Sequence, residues 1–219
     1  GNSIYTADMT DEQKYEAALQ ASISFFKAAG YTFDEATGKF TAAPEGAEMT
    51  YEVIIPGGGT GDHPAFGILT AAKEALATIG ITLQINDPSD SSVWNNALEA
   101  NTAEMWAGAW GATVDPDMYQ VYHSDNSNGK GTNSNHYSIE DADLDEMIIA
   151  ARNSADQSYR KATYKECLET ILDWGVEIPT YQRQNAVVIS TERVNVSTMT
   201  PDITTFWGWT NDIEKLEMN

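Results

Sequence analysis

One cysteine, Cys167, is present in 219 residues, so no intrachain disulfide and no thiolate metal cage can form. Its setting, Tyr164-Lys165-Glu166-Cys167-Leu168, has a helical pattern, which predicts a buried structural thiol rather than a nucleophile. The histidines, His63, His123 and His136, include no pair spaced i, i+4, so a helix-borne metal site is not expected and each reads as a hydrogen-bonding residue. Basic residues are outnumbered, 12 Lys and Arg against 33 Asp and Glu, and the net charge of -21 repels phosphate backbones and anionic membrane surfaces. Nucleic acid is not an expected partner, and the acidity itself reads as a solvated surface that names no ligand. No apolar run approaches the roughly 18 residues a membrane-spanning helix needs. A Gly-x-Ser-x-Gly elbow, an internal repeat and a low-complexity block are also missing. The opening residues Gly1-Asn2-Ser3-Ile4-Tyr5 contain no basic apolar leader, and the expectation is a removed signal or a chain excised from a longer one.

The residues present suffice for a globular core, with 42% hydrophobic and 10% aromatic. Thr10-Asp11-Glu12-Gln13 has the form of a capping box, and Tyr15, Leu19, Ile23 and Phe26 follow at helical spacing up to Gly30. Asp34 to Gly46 is turn-rich. Met49, Tyr51, Val53 and Ile55 alternate as a strand, and Pro64 opens a helix that Gly80 closes before a second strand through Ile81, Leu83 and Ile85. This predicts a parallel strand-helix-strand unit. A short helix over Ser91 to Asn101, a strand over Glu104 to Trp110 and a long polar loop from Val114 to Tyr137 come next. Helices over 142–152 and 158–174 follow, then strands over 178–181 and 186–190, and an irregular tail from Thr191. The fold class is α/β.

Three local patterns suggest chemistry and fail on spacing. Gly57-Gly58-Gly59-Thr60-Gly61 precedes a helix but lacks Gly-Lys-Ser/Thr, so a strand-helix connector is expected rather than a phosphate loop. Asp125-Asn126-Ser127-Asn128-Gly129 places its glycine one position early for a calcium loop and has no terminal glutamate. Asp115 and Asp117 are a carboxylate pair of the kind chance supplies in so acidic a chain. No cofactor and no resident metal are expected. The tryptophans are more informative: Trp94 and Trp174 read as core, whereas Trp106 and Trp110 lead into the loop and suit either the core or a ligand-gripping face.

Several segments, in order, resemble the family 5 extracellular solute-binding proteins. These are Ala28-Ala29-Gly30-Tyr31, Ala77-Thr78-Ile79-Gly80-Ile81, Trp110-Gly111-Ala112-Thr113-Val114-Asp115-Pro116-Asp117, Asn135-His136-Tyr137-Ser138 with an acidic helix start near Asp143 or Asp145, and Glu177-Ile178-Pro179-Thr180-Tyr181. The resemblance implies a lobe of the type II periplasmic-binding-protein fold, a mixed sheet flanked by helices. Residues 1–190 would be the second, C-terminal ligand-binding lobe, and 191–219 a segment returning to a missing N-terminal lobe. It further implies the substrate-binding component of an ATP-driven importer, without catalysis. Such a component binds extended peptides between lobes that close about a hinge and delivers them to a membrane permease complex. The implied location is extracellular, either at the cell surface, anchored through an absent N-terminus, or periplasmic. On this reading Trp106, Trp110, Gly111, Ala112, Thr113, Asp115, Tyr119, His136 and Tyr137 line the cleft. Peptide binders of the family often carry an aspartate three residues after the tryptophan to hold the peptide's amino terminus; Thr113 stands there, and the segment is one residue shorter before Asp-Pro. The alternatives are a non-peptide solute, an acidic secreted hydrolase using Asp115 and Asp117, and an interaction module using Phe206, Trp207 and Trp209.

Overall fold

A computed structural model describes residues 4–111, 113–182, 184, 186–201, 203–204 and 206–219. The chain divides into two compact units, Gly1–Ala109 and Trp110–Asn219. Each has its own core.

The first unit begins with α1 (Asp11–Ala28), whose start is fixed by a reciprocal cap: Gln13 N donates to Thr10 Oγ1 at 3.2 Å and Thr10 N to Gln13 Oε1 at 2.9 Å. A short antiparallel hairpin follows, β1 (Thr32–Asp34) and β2 (Lys39–Ala42), where the sequence reads only as turn-rich. The turn chemistry is as expected, since the Asp34 carboxylate accepts from Ala36 N and Thr37 Oγ1, but strands this short leave little alternation to detect.

The predicted parallel unit is present. β3 (Thr50–Ile54) and β4 (Thr82–Asn86) pair in parallel along their full length, joined through α2 (Pro64–Thr78), and with β5 (Met105–Trp106) the strand order is β4-β3-β5. Val53, Ile55 and Leu83 are buried with Phe66, Leu69 and Leu76 of α2 against them. Thr50, Glu52, Thr82 and Gln84 alternate with these and are exposed. A second cluster of Tyr31, Phe40, Ile79 and Ile81 ties the hairpin to α1 and the end of α2. Gly80 is required there, because its φ is +88° and a Cβ would lie 2.7 Å from the Phe40 carbonyl oxygen.

α3 (Ser91–Glu99) forms as expected, capped by Asp90. The strand expected over 104–110 is shortened to β5 (Met105–Trp106). The cause is its partner: β3 offers pairing only through Val53↔Met105 and Ile54↔Trp106, and Ala107 N makes the last bond, to the Ile54 carbonyl at 3.0 Å. Gly108 then lets the chain pass against the Trp94 and Trp106 rings, with its built Cβ 3.0–3.1 Å from them.

The glycine-rich connector is not a vacant anion cradle. The Asp87 carboxylate accepts from Gly59 N at 3.0 Å and Gly61 N at 3.2 Å, so an internal carboxylate holds the amides a phosphate would need.

In the second unit, α5 (Ala142–Arg152) and α6 (Gln157–Trp174), numbered after the single turn α4 (Tyr119–Tyr122), pack as a pair. Asp141 and Asp156 cap them, and Gly175, at φ +66°, ends α6. Ile139, Leu144, Ile148, Tyr164, Cys167 and Ile171 form the core. Each fully buried aliphatic contributes roughly 1.5–3 kcal/mol. Cys167 is the buried thiol the sequence predicts, and burial pushes its pKa up, away from reactivity.

The strands expected over 178–181 and 186–190 are absent among the described residues. Among the described residues every strand lies in the first unit, so these alternating segments have no sheet in their own unit to pair with, and Ile178 and Val188 are 84% and 95% exposed. The tail is less irregular than its composition suggests. Asn195 N donates to the Glu217 carbonyl and Asn219 N to the Arg193 carbonyl, and Asp212 accepts from Thr200 Oγ1, Trp207 Nε1 and Lys215 Nζ. These donors hold the Asp212 carboxyl down at about 2. Phe206, Trp207 and Trp209 remain exposed.

Replacing Asp87 with Ala removes both amide acceptors, and Gly57→Ala puts a Cβ 2.4 Å from the Asp87 carboxylate. Each substitution is expected to cost roughly 1–2 kcal/mol and to lower the thermal unfolding midpoint, whereas Gly58→Ala meets no atom nearby and is limited by its positive φ alone.

Candidate functional site

The segment after Trp110 is fixed by two arginines from the helix pair. Arg160, on α6 and buried, directs Nη2 to both oxygens of Asp115 at 2.7 and 2.8 Å, and its Nη1 reaches the Ser154 carbonyl. Arg152, at the end of α5, pairs with Asp117 at 3.2 Å and lies over the Tyr119 ring at 4.6 Å. The exposed Thr113 is engaged as well, its hydroxyl donating to the Asp115 carbonyl at 2.6 Å. Asp115 and Asp117 thus each have a structural partner, and Asp115 fastens the turn rather than presenting a free carboxylate.

The long polar loop is an ordered scaffold built on one buried amide. Asn135 Nδ2 donates to the carbonyls of Tyr122, His123 and Ile139, at 3.3, 3.3 and 2.9 Å, and its Oδ1 accepts from Ile139 N. Asn126 does similar work: its Oδ1 accepts from Thr132 and its Nδ2 donates to the Tyr119 carbonyl, so this stretch spends its side chains on its own backbone. His123 Nδ1 accepts from Asp125 N, and the Asp145 carboxylate accepts from Ser124 N. Glu140 accepts from Ser127, Lys130 and Asn128, which hold it down at about 2.

On this scaffold stands an aromatic wall. Trp110 Nε1 donates to the Tyr137 hydroxyl at 3.2 Å, and the Trp110 ring stacks with His136 at 6.3 Å and 14°. Tyr137 stacks on Tyr122 at 5.7 Å and 9°, and the Tyr122 hydroxyl donates to Glu177 Oε2 at 2.7 Å. Burial, then the Glu177 carboxylate, pushes the Tyr122 phenol far up. Burial also raises Tyr137, against the opposing effect of the Trp110 N–H. Both phenols therefore remain O–H donors across physiological pH. Trp110 keeps 44% of its surface exposed, and around Gly111 a built Cβ meets no atom within 4 Å.

Of the residues singled out in the sequence, Trp110, His136 and Tyr137 come together here. Tyr119 belongs to the scaffold, with its hydroxyl donating to Asp125 and its ring against His123. Trp106 belongs to the first unit, edge-on to Trp94 at 6.4 Å. Ala112 lies outside the described residues. Trp174, expected in the core, is 43% exposed and donates to the capping residue Asp141 instead. Sequence reasoning passed over Tyr122, Glu177, Arg152 and Arg160. The two arginines had a detectable signal, since two cations on neighbouring helices follow two aspartates in a chain with only 12 basic residues.

No family model matches the chain, and no curated protein matches it. Solved structures do. The periplasmic oligopeptide-binding protein of an oligopeptide ABC transporter from Thermotoga maritima, with mannohexaose bound, aligns at a TM-score of 0.59 and 14% identity over 74% of this chain and 30% of that one. NikZ from Campylobacter jejuni, in complex with Ni(L-His), aligns at 0.58 and 17% over 72% and 30%. The oligopeptide-binding protein AppA from Bacillus subtilis, in complex with a nonapeptide, aligns at 0.56 and 15% over 79% and 33%. The chain thus spans about a third of the length of each. The likeness is one of fold: a mixed α/β arrangement of helices with a parallel sheet, matching lobes of periplasmic binding proteins. Among the described residues no helix is long and apolar enough to cross a membrane.

Asp115→Ala leaves a buried guanidinium without its carboxylate. The expected loss is about 1–3 kcal/mol, below the full cost of breaking a buried pair because Asp115 itself is 60% exposed, and urea unfolding of the variant measures it.

Proposed function

We propose that this chain is a ligand-gripping lobe of the substrate-binding component of an ABC importer, that its solute is an extended peptide, and that it works without catalysis. The observation carrying this reading is the half-exposed Trp110, held by Tyr137 and backed by His136, at the head of a segment that two arginines fasten in place. A rigid indole face offers large contact area at low entropic cost. Between described residues, Trp110, Gly111 and Thr113 make no backbone–backbone hydrogen bond, which suits an extended chain adding as a strand does. Backbone pairing of this kind ignores side-chain identity, which suits a carrier of varied peptides. The fold neighbours that bind a nonapeptide, mannohexaose and Ni(L-His) fit an architecture that accepts diverse solutes.

The remaining partners follow from the same reading: an N-terminal lobe of the same protein to close over the ligand, with residues 1–190 as the second lobe and 191–219 running back to the first, and a membrane permease complex to receive the solute. The protein would act outside the cytoplasm, in the periplasm or at the cell surface. Thr113 favours one second reading, a non-peptide solute, because no carboxylate stands at that position and the hydroxyl is spent on the Asp115 carbonyl.

Titration of the protein with a mixed short-peptide library is expected to give a saturable change in tryptophan fluorescence that Trp110→Ala removes. Silence toward every peptide would discard the peptide assignment in favour of the non-peptide solute.

A further inference from the structure

The hydrogens of the aromatic wall all point one way. An indole N–H can only donate, so the Tyr137 oxygen that takes the Trp110 N–H at 3.2 Å is the acceptor of that bond, and the phenolic hydrogen of Tyr137 needs an acceptor of its own. Glu177 supplies it. Its carboxylate is a hydrogen-bond partner of the Tyr137 hydroxyl and also takes the Tyr122 hydroxyl at 2.7 Å. Burial raises both phenols, so each keeps its hydrogen and brings it to the same carboxylate. Trp110 thus donates to Tyr137, Tyr137 donates to Glu177, and Tyr122, stacked on Tyr137 at 5.7 Å and 9°, donates to Glu177 from alongside.

We infer that Glu177 is the positioning residue of the wall: acting through the Tyr137 hydroxyl, it fixes the orientation of the Trp110 indole and so sets the affinity for the solute. The inference deepens the reading above and rests on it for the solute affinity alone. Trp110 is 44% exposed, and between described residues Trp110, Gly111 and Thr113 make no backbone–backbone hydrogen bond, so the indole is not oriented by its own main chain. Arg160 and Arg152 fasten the segment further along, at Asp115 and Asp117. That fixes the base and leaves the turn of the ring about its side-chain bonds to the bond with Tyr137 and the stack on His136. Glu177 strengthens the first of these. A phenol that donates to a carboxylate is polarised by it, and its oxygen becomes the better acceptor for the indole N–H. A carboxylate also has two acceptor oxygens and no hydrogen, so it can take both phenols at once, whereas glutamine of the same shape has no charge and one acceptor oxygen beside an amide that only donates. Glu177 is half-buried, and among the described residues no salt bridge with a Lys, Arg or His competes for it.

The test follows the Trp110 indole N–H resonance of the isotope-labelled 219-residue chain, assigned by its loss in Trp110→Phe, first without solute and then with a mixture of short peptides. Glu177→Gln is expected to shift or broaden that resonance while the Trp94 signal, from the first unit, stays in place. Tyr137→Phe, which removes the acceptor itself, is expected to shift it too, and in the Tyr137→Phe background Glu177→Gln is expected to add nothing, because Glu177 acts through the Tyr137 hydroxyl. A Trp110 resonance that Glu177→Gln leaves unmoved, or moves further in the Tyr137→Phe background, overturns the inference. Glu177→Asp keeps the charge and draws the oxygens back by one methylene; it carries the same expectation and replaces the Gln variant if circular dichroism shows that variant unfolded. With peptide present, wild-type binding that weakens about three- to tenfold in Glu177→Gln supports the effect on affinity, and equal binding by both proteins overturns it. A wild type that takes no peptide discards the peptide reading, while the resonance without solute still decides whether Glu177 positions the indole.

Discussion

A buried guanidinium must have a counter-ion, and the grip of Arg160 on Asp115 is the constraint from which the arrangement of the second unit follows. Arg160 projects from α6, whose packing against α5 makes the core of this unit, so the position of the turn after Trp110 is set by the same residues that stabilise the helix pair. Arg152 repeats the device on Asp117 one helix away. With both aspartates tied down, Trp110 is presented by a segment that has little backbone pairing of its own and yet has a fixed base. Rigidity of this kind lowers the ordering cost that binding would otherwise incur.

Facing that segment, the polar loop reaches the same end by different means. Met118, Tyr119, Tyr122 and Tyr137 pack part of it against the core of the helix pair, and the rest of its order comes from satisfying its backbone with side-chain amides, Asn135 above all. This explains how a stretch rich in Asn, Ser, Asp and Gly can hold Tyr137 and His136 in place. It also explains why acidity in this chain is not simply a solubilising coat: Asp87, Asp141, Asp156 and Asp212 each satisfy amide or hydroxyl donors at loop and helix ends.

The sequence was most legible where signals are local. The capping box at Thr10, Pro64 at the start of α2, and the alternation of Tyr51, Val53 and Ile55 against Leu83 and Ile85 foretold elements that the structure contains. It was misleading where structure depends on a partner. Residues 178–181 and 186–190 alternate like strands but find no sheet among the described residues of their unit, β5 stops because β3 ends, and β1 and β2 are too short to show a period. At the candidate site, Trp110, His136 and Tyr137 could be singled out from residue type and from a family resemblance, and they meet. Asp115 could be singled out but not its role, because nothing near it in sequence announces Arg160, 45 residues away. Glu177 stood in a segment marked by the family resemblance, but nothing local gave it a role; its character comes from lying beside Tyr122, 55 residues earlier.

The central claim, that the Trp110 wall is the solute-binding surface, is tested most directly by following the six indole N–H resonances of the isotope-labelled protein while a short peptide is added. The account predicts that the Trp110 resonance shifts first and saturates, because its N–H lies on the Tyr137 hydroxyl within the site. Saturable shifts confined to other tryptophans, with Trp110 unmoved, would contradict it.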